Sequence, residues 1–167
     1  MNLAAGVPHS EVALAAWDRW VAAMVNRYKD KVINWEIWNE PNFGDNLENT
    51  AKKAAALNIR TIEIVKRIQP EAKVSGLAFG HIDLEYAAEF FKTMHESGTL
   101  ELLDNITYHD YVYNPDAHYP KVMEMKRILE QYSTKITLRQ GENGAPSIGG
   151  PGRGAIGDHD WTELSKA

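Results

Sequence analysis

An α/β fold built as part of a (β/α)8 barrel is the class this sequence predicts, and three observations carry that expectation. Apolar residues alternate along the chain between helical spacing and short runs rich in β-branched and aromatic side chains. Successive strand starts fall roughly 30–40 residues apart, as in βα units that build a parallel sheet. Four such strands fit into the 167 residues, whereas a closed eight-stranded barrel takes about 250.

The elements follow in order. From Glu11 to Tyr28, Trp17, Trp20, Val21, Met24, Val25 and Tyr28 share one helical face, and Ser10 is placed to cap it. Residues 32–38 form an apolar run that reads as a buried strand. It stops at Asn39-Glu40-Pro41-Asn42, where Pro41 disfavours helical geometry at Glu40. A long helix is predicted over 50–68, ended by Pro70, then a strand over 74–79 and a helix over 84–97 closed by Gly98. Residues 105–112 read as a strand, 119–131 as a helix and 136–140 as the fourth strand. A Gly- and Pro-rich loop over 141–157 leads to a helix start at Asp160. The chain thus opens on a helix and closes inside one, so residues 1–167 are expected to be an internal portion of a larger barrel.

Composition narrows the function. A net charge of −5 with scattered Lys and Arg argues against nucleic acid and anionic membrane surfaces as partners. No run approaches the roughly 18 apolar residues of a membrane span. The absence of cysteine excludes thiol catalysis, zinc–thiolate sites and disulfides. No Walker or Rossmann glycine pattern is present; Asn143-Gly144 and Gly149-Gly150 are turn chemistry. No cofactor or metal is expected.

Two carboxylates fall at strand ends, Glu40 after the run 32–38 and Glu142 after 136–140. In a parallel barrel these ends share the face that holds active sites. Glycoside hydrolysis needs a proton donor for the leaving oxygen and a second carboxylate at the anomeric carbon. Each glutamate taken alone reads more readily as a solvated turn residue. The indoles of Trp35 and Trp38 predict an apolar setting around Glu40, which suits a carboxyl group that must hold a proton.

The segment Trp35-Glu36-Ile37-Trp38-Asn39-Glu40-Pro41-Asn42 resembles the Asn-Glu-Pro signature of clan A glycoside hydrolases. There the signature closes the fourth barrel strand and its Glu is the general acid/base. The resemblance therefore implies that Glu40 is the acid/base and that Asn39 hydrogen-bonds the 2-hydroxyl of the sugar. Leu103-Asp104-Asn105-Ile106-Thr107-Tyr108-His109-Asp110-Tyr111 looks like the clan's sixth strand ending in His-x-Tyr, which implies that His109 and Tyr111 line the subsite and position the nucleophile. Arg139-Gln140-Gly141-Glu142-Asn143-Gly144 is similar to the seventh strand, which implies Glu142 as the nucleophile. The three segments come in the clan's order, with 74–79 falling where the fifth strand belongs, so the chain is expected to span about strands 4 to 7 of a TIM barrel. The wording is closest to families 39 and 5 and leans toward 39, although Ala145-Pro146-Ser147 departs from the usual family 39 text after the nucleophile.

Weaker candidates complete the list. Trp38 is either core or a stacking platform for sugar, and is included among the substrate-binding residues. Trp17 and Trp20 read as core, His81 as a loop residue, and Asp158-His159-Asp160 as a capped helix start rather than a metal site. The expected partner is a carbohydrate substrate, cleaved with retention of configuration. The rival readings are a carbohydrate-binding barrel without turnover and an inactive piece whose exposed sheet edges drive self-association.

Overall fold

A computed structural model of the chain describes residues 6–43, 49–112 and 115–144. The expected loop beyond Gly144, the helix start at Asp160 and the Asp158-His159-Asp160 cluster lie outside these residues. The elements run α1 (Glu11–Tyr28), β1 (Asn34–Glu36), α2 (Ala51–Ile68), β2 (Lys73–Phe79), α3 (Leu84–Glu96), β3 (Asn105–Tyr111), α4 (Tyr119–Glu130) and β4 (Thr137–Gly144), with short 3-10 turns at Leu100–Leu102 and Pro115–His118. The four strands form one sheet in the order β1-β2-β3-β4, every pair parallel. That is the expected α/β class.

Helix limits follow the predicted chemistry. Ser10 caps α1 by accepting the Ala13 N–H at 3.2 Å, and Thr50 caps α2 by accepting that of Lys53 at 3.3 Å. Gly98 follows α3 with φ of 75°, the left-handed turn that ends a helix cheaply only at glycine. Between α1 and β1, the buried Gln69 side chain donates to the Lys29 and Val32 carbonyls and accepts the Trp35 indole N–H. One carboxamide thereby fixes where the chain enters the sheet.

The core lies between the helices and one face of the sheet. Val74 and Ile106 from the strands meet Ile62, Phe90, Phe91, Met94 and Met125 from the helices, all fully buried. Burial of each such side chain is worth roughly 1.5–3 kcal/mol. The alternate strand residues face the other way. Glu36, Ser75, Thr107 and Arg139 line a cavity of about 270 Å³ on that face. In a flat sheet β1 and β4 would lie roughly 14 Å apart, three strand spacings. Yet a Cβ on Gly141 of β4 would sit 3.7 Å from Glu36 Oε1 of β1. The sheet is therefore curled, and its polar face is concave.

Two expectations change. Trp20 is 54% exposed rather than core, although its ring lies 5.1 Å from that of Trp17. Among the described residues α1 packs chiefly on α2, so only Val21 and Val25 of its apolar face are fully covered. The fourth strand does not stop at Gln140 but runs to Gly144, because β3 goes on pairing with it as far as Tyr111.

Candidate active site

The ends of β1, β3 and β4 bring four of the sequence-predicted residues together. His109, 1% exposed, places Nδ1 3.1 Å from Glu40 Oε1 and 3.7 Å from Glu142 Oε2. With a proton on Nδ1 the shorter contact is a hydrogen bond and the longer one is electrostatic only. Tyr111 donates its hydroxyl to Glu142 Oε2 at 2.8 Å. One oxygen from each carboxylate and one ring nitrogen of His109 all lie within 4.8 Å of one another. The Glu40 side chain is 25% exposed and that of Glu142 45%, so both remain open to solvent beside a closed histidine.

Each carboxylate is aimed by an irregularity of the sheet. On β2 the register passes from Gly76 opposite Ile106 to Phe79 opposite Tyr108, which leaves one extra residue at Leu77–Ala78. The Ala78 carbonyl accepts the Glu40 N–H at 2.8 Å, and the Glu40 carbonyl accepts the Phe43 N–H at 3.1 Å. Pro41 was expected to keep Glu40 out of helical geometry; the residue takes left-handed backbone, φ 50°. Left-handed backbone costs a non-glycine residue about 1–2 kcal/mol, and such strain gathers where a site needs it. The following residues latch onto the loop after β2. Asn42 accepts the Gly80 N–H and donates to the His81 carbonyl, both at 2.9 Å, and the Phe43 ring lies where a Gly80 side chain would start. His81 thus belongs to this latch.

On β4 the extra residue is Gly141. Tyr108 pairs with Gln140, but His109 pairs with Glu142. Glu142 therefore lies within the strand rather than beyond it, a correction to the sequence reading. A Cβ on Gly141 would stand 3.3 Å from His109 Nε2, closer than side chains ordinarily approach, so glycine lets the bulge and the buried imidazole coexist. The proton of Tyr111 is held firmly: burial, the hydrogen bond to Glu142 and the charges of Glu142 and Glu40 push its ionisation up to about 12.

Of the remaining predicted residues, Asn39 is exposed on the rim beside Glu40. The Trp38 ring packs edge-on against Trp17 of α1 at 5.4 Å, and the Trp35 indole bonds to Gln69. Both half-buried indoles thus make contacts with the helical layer. Sequence reading missed Ala78 and Gly141, whose contributions are a backbone carbonyl and an absent side chain. It also missed Glu36, which an alternating pattern would have put on the concave face.

The arrangement offers two nearby carboxylates with different partners, one on an imidazole and one on a phenol. The same Glu40, His109 and Glu142 atoms are close enough to hold a cation. No family model matches the sequence, and no curated protein is similar to it. Solved structures do match. A GH39 enzyme from Xanthomonas axonopodis pv. citri superposes with a TM-score of 0.66 at 18% identity, over 80% of this chain and 31% of that one. A monomeric β-xylosidase from Caulobacter crescentus CB15 gives 0.59 at 20% identity, over 80% and 31%. A family 44 xyloglucanase from Paenibacillus polymyxa gives 0.60 at 16%, over 76% and 39%. The fold is a partial TIM barrel. Four parallel strands with their helices are what the segment contributes, and the chain spans 31% to 39% of the length of these three neighbours.

Proposed function

We propose that this partial barrel carries the catalytic carboxylates of a retaining O-glycoside hydrolase acting on a β-linked glycoside or polysaccharide. The observation that carries the reading is the approach of Glu40 and Glu142, whose carboxylate oxygens lie within 4.8 Å. Retention goes with carboxyl groups about 5–5.5 Å apart, whereas inversion needs about 6.5–9.5 Å to admit water. In the first step Glu142 attacks the anomeric carbon while Glu40 gives its proton to the departing oxygen. In the second, Glu40 takes a proton from water, which displaces Glu142 and restores both groups. Tyr111 holds the Glu142 oxygen in line, and His109 does the same for Glu40. Asn39, on the rim, would meet the sugar hydroxyl next to the reacting carbon. The fold shared with structures named as a β-xylosidase and a xyloglucanase supports a β-linked glycoside or polysaccharide as the substrate class.

The test is turnover of a panel of aryl β-glycosides, followed by Glu142→Ala. Loss of activity that returns with azide, giving the α-glycosyl azide, is the expected result. Full activity in Glu142→Ala would overturn the assignment, and sugar binding without any turnover would favour the carbohydrate-binding rival.

A second reading concerns the chain by itself. Strands β1 and β4 each have one unpaired edge among the described residues, and Glu36 and Arg139 on the concave face form no ion pair there. Those features favour self-association, with β1 of one copy beside β4 of another. Light scattering on the 167-residue chain decides it: a stable monomer across the micromolar range removes this reading.

A further inference from the structure

Four non-glycine residues have left-handed backbone among the described residues: Trp38, Glu40, Leu77 and Ala78. They are two pairs on adjoining strand ends, joined by the hydrogen bond from Glu40 N–H to the Ala78 carbonyl. The bulge that holds Leu77 and Ala78 must itself be held, because an extra residue leaves the ladder with unpaired backbone groups. The group that meets it comes from the far side of the sheet. Asn58 of α2 is 1% exposed; its Nδ2 donates to the Ala54 carbonyl at 2.9 Å, and its Oδ1 faces the Leu77 N–H at 3.4 Å. The strand makes room for it. A Cβ on Gly76 would lie 2.8 Å from Asn58 Oδ1, so glycine there admits the carboxamide. On the next strand Thr107 donates its hydroxyl to the Gly76 carbonyl at 3.3 Å. An amide-bearing side chain in the apolar face of a helix costs desolvation unless its partners are fixed, and these are.

We propose that Asn58 is a positioning residue for Glu40. Its carboxamide sets the Leu77–Ala78 bulge, the bulge turns the Ala78 carbonyl to the Glu40 N–H, and the anchored backbone points the carboxylate at His109. The catalytic consequence rests on Glu40 being the acid/base; the mechanical link does not.

The experiment is residue-resolved hydrogen exchange and imidazole ¹⁵N shifts on the labelled 167-residue chain. In Asn58→Leu the Glu40 amide exchanges about tenfold faster than any change in global stability accounts for, with Phe90 and Met125 as reporters of that global change. The ring-nitrogen shifts of His109 move with it. Asn58→Asp, which keeps the acceptor oxygen, brings the Glu40 amide back to within about threefold of the parent. Asn58→Ala removes the carboxamide without the bulk of leucine, and it carries the test if Asn58→Leu does not fold. Glu40 exchange that merely follows Phe90 and Met125, or that stays at the parental rate in Asn58→Ala, overturns the proposal. Where aryl glycosides are turned over, Asn58→Leu lowers kcat with little change in KM. Absence of turnover in the parent would fault the glycosidase reading alone, because the exchange result stands without it.

Discussion

The Tyr111 hydroxyl donates to Glu142 Oε2 at 2.8 Å, and this bond ties the end of β3 to the carboxylate assigned the nucleophilic role. Its direction has a consequence at high pH. Tyr111 ionises near 12 rather than near 10, chiefly through burial and then through Glu142. Burial also raises Tyr108 and Tyr86, helped by Asp110 and Asp83 respectively. A group whose ionisation is raised by folding stabilises the fold below its unfolded value and loses that contribution as pH climbs toward the folded one. Stability should therefore fall between pH 10 and 12, measured by urea unfolding across that range. Glu142→Gln should move one tyrosine's ionisation, read by absorbance near 295 nm, back toward 10.

Glu40→Gln separates the two chemical roles. Loss of a general acid typically costs about 10²–10⁴ in rate. That loss is expected for glycosides with poor leaving groups and not for the first step with activated aryl leaving groups, which depart without a proton. Comparing dinitrophenyl with unactivated substrates checks it, and equal losses on both would remove Glu40 from the acid role.

Asp104 governs stability at the acid end. It is partly buried, which opposes ionisation, yet Lys73, the Val74 N–H and Lys66 together hold it below the ordinary carboxylate range. Its oxygens lie 2.8 Å from Lys73 Nζ and 2.9 Å from the Val74 nitrogen, joining β2 to the start of β3. A depressed carboxylate stabilises above its unfolded value and loses that contribution as pH falls through the folded one. Asp104→Asn should cost roughly 1–3 kcal/mol at neutral pH. The difference from the parent should shrink as pH falls below the ordinary aspartate range, as followed by circular dichroism during acid titration.

Gly80→Ala tests the latch behind Glu40. The added methyl would collide with the Phe43 ring, so the ring must leave or the loop must shift. Overpacking of this kind costs about 1–3 kcal/mol. The distinguishing sign is local: the Phe43 and His81 ring resonances move while those of Phe91 do not. A variant with parental spectra would show that the loop does not depend on this contact.

Much of this molecule could be read from its residues in order. Helical spacing located α1 to its end residues, and strand-like runs located β2 and β3, because periodicity and capping are local properties of the chain. The motif order around Glu40, His109, Tyr111 and Glu142 likewise identified four side chains that the fold gathers at one rim. Other features could not be read this way. A one-residue bulge depends on the register between two strands, and register is set by pairing partners rather than by either strand alone. That is why Glu142 proved to lie inside β4, aimed by Gly141, and why the Ala78 carbonyl that anchors Glu40 left no mark in the sequence. The side of a strand-end indole is decided the same way. Trp38 met Trp17 because α1 returns across its strand end, a contact between residues 21 positions apart that only packing creates.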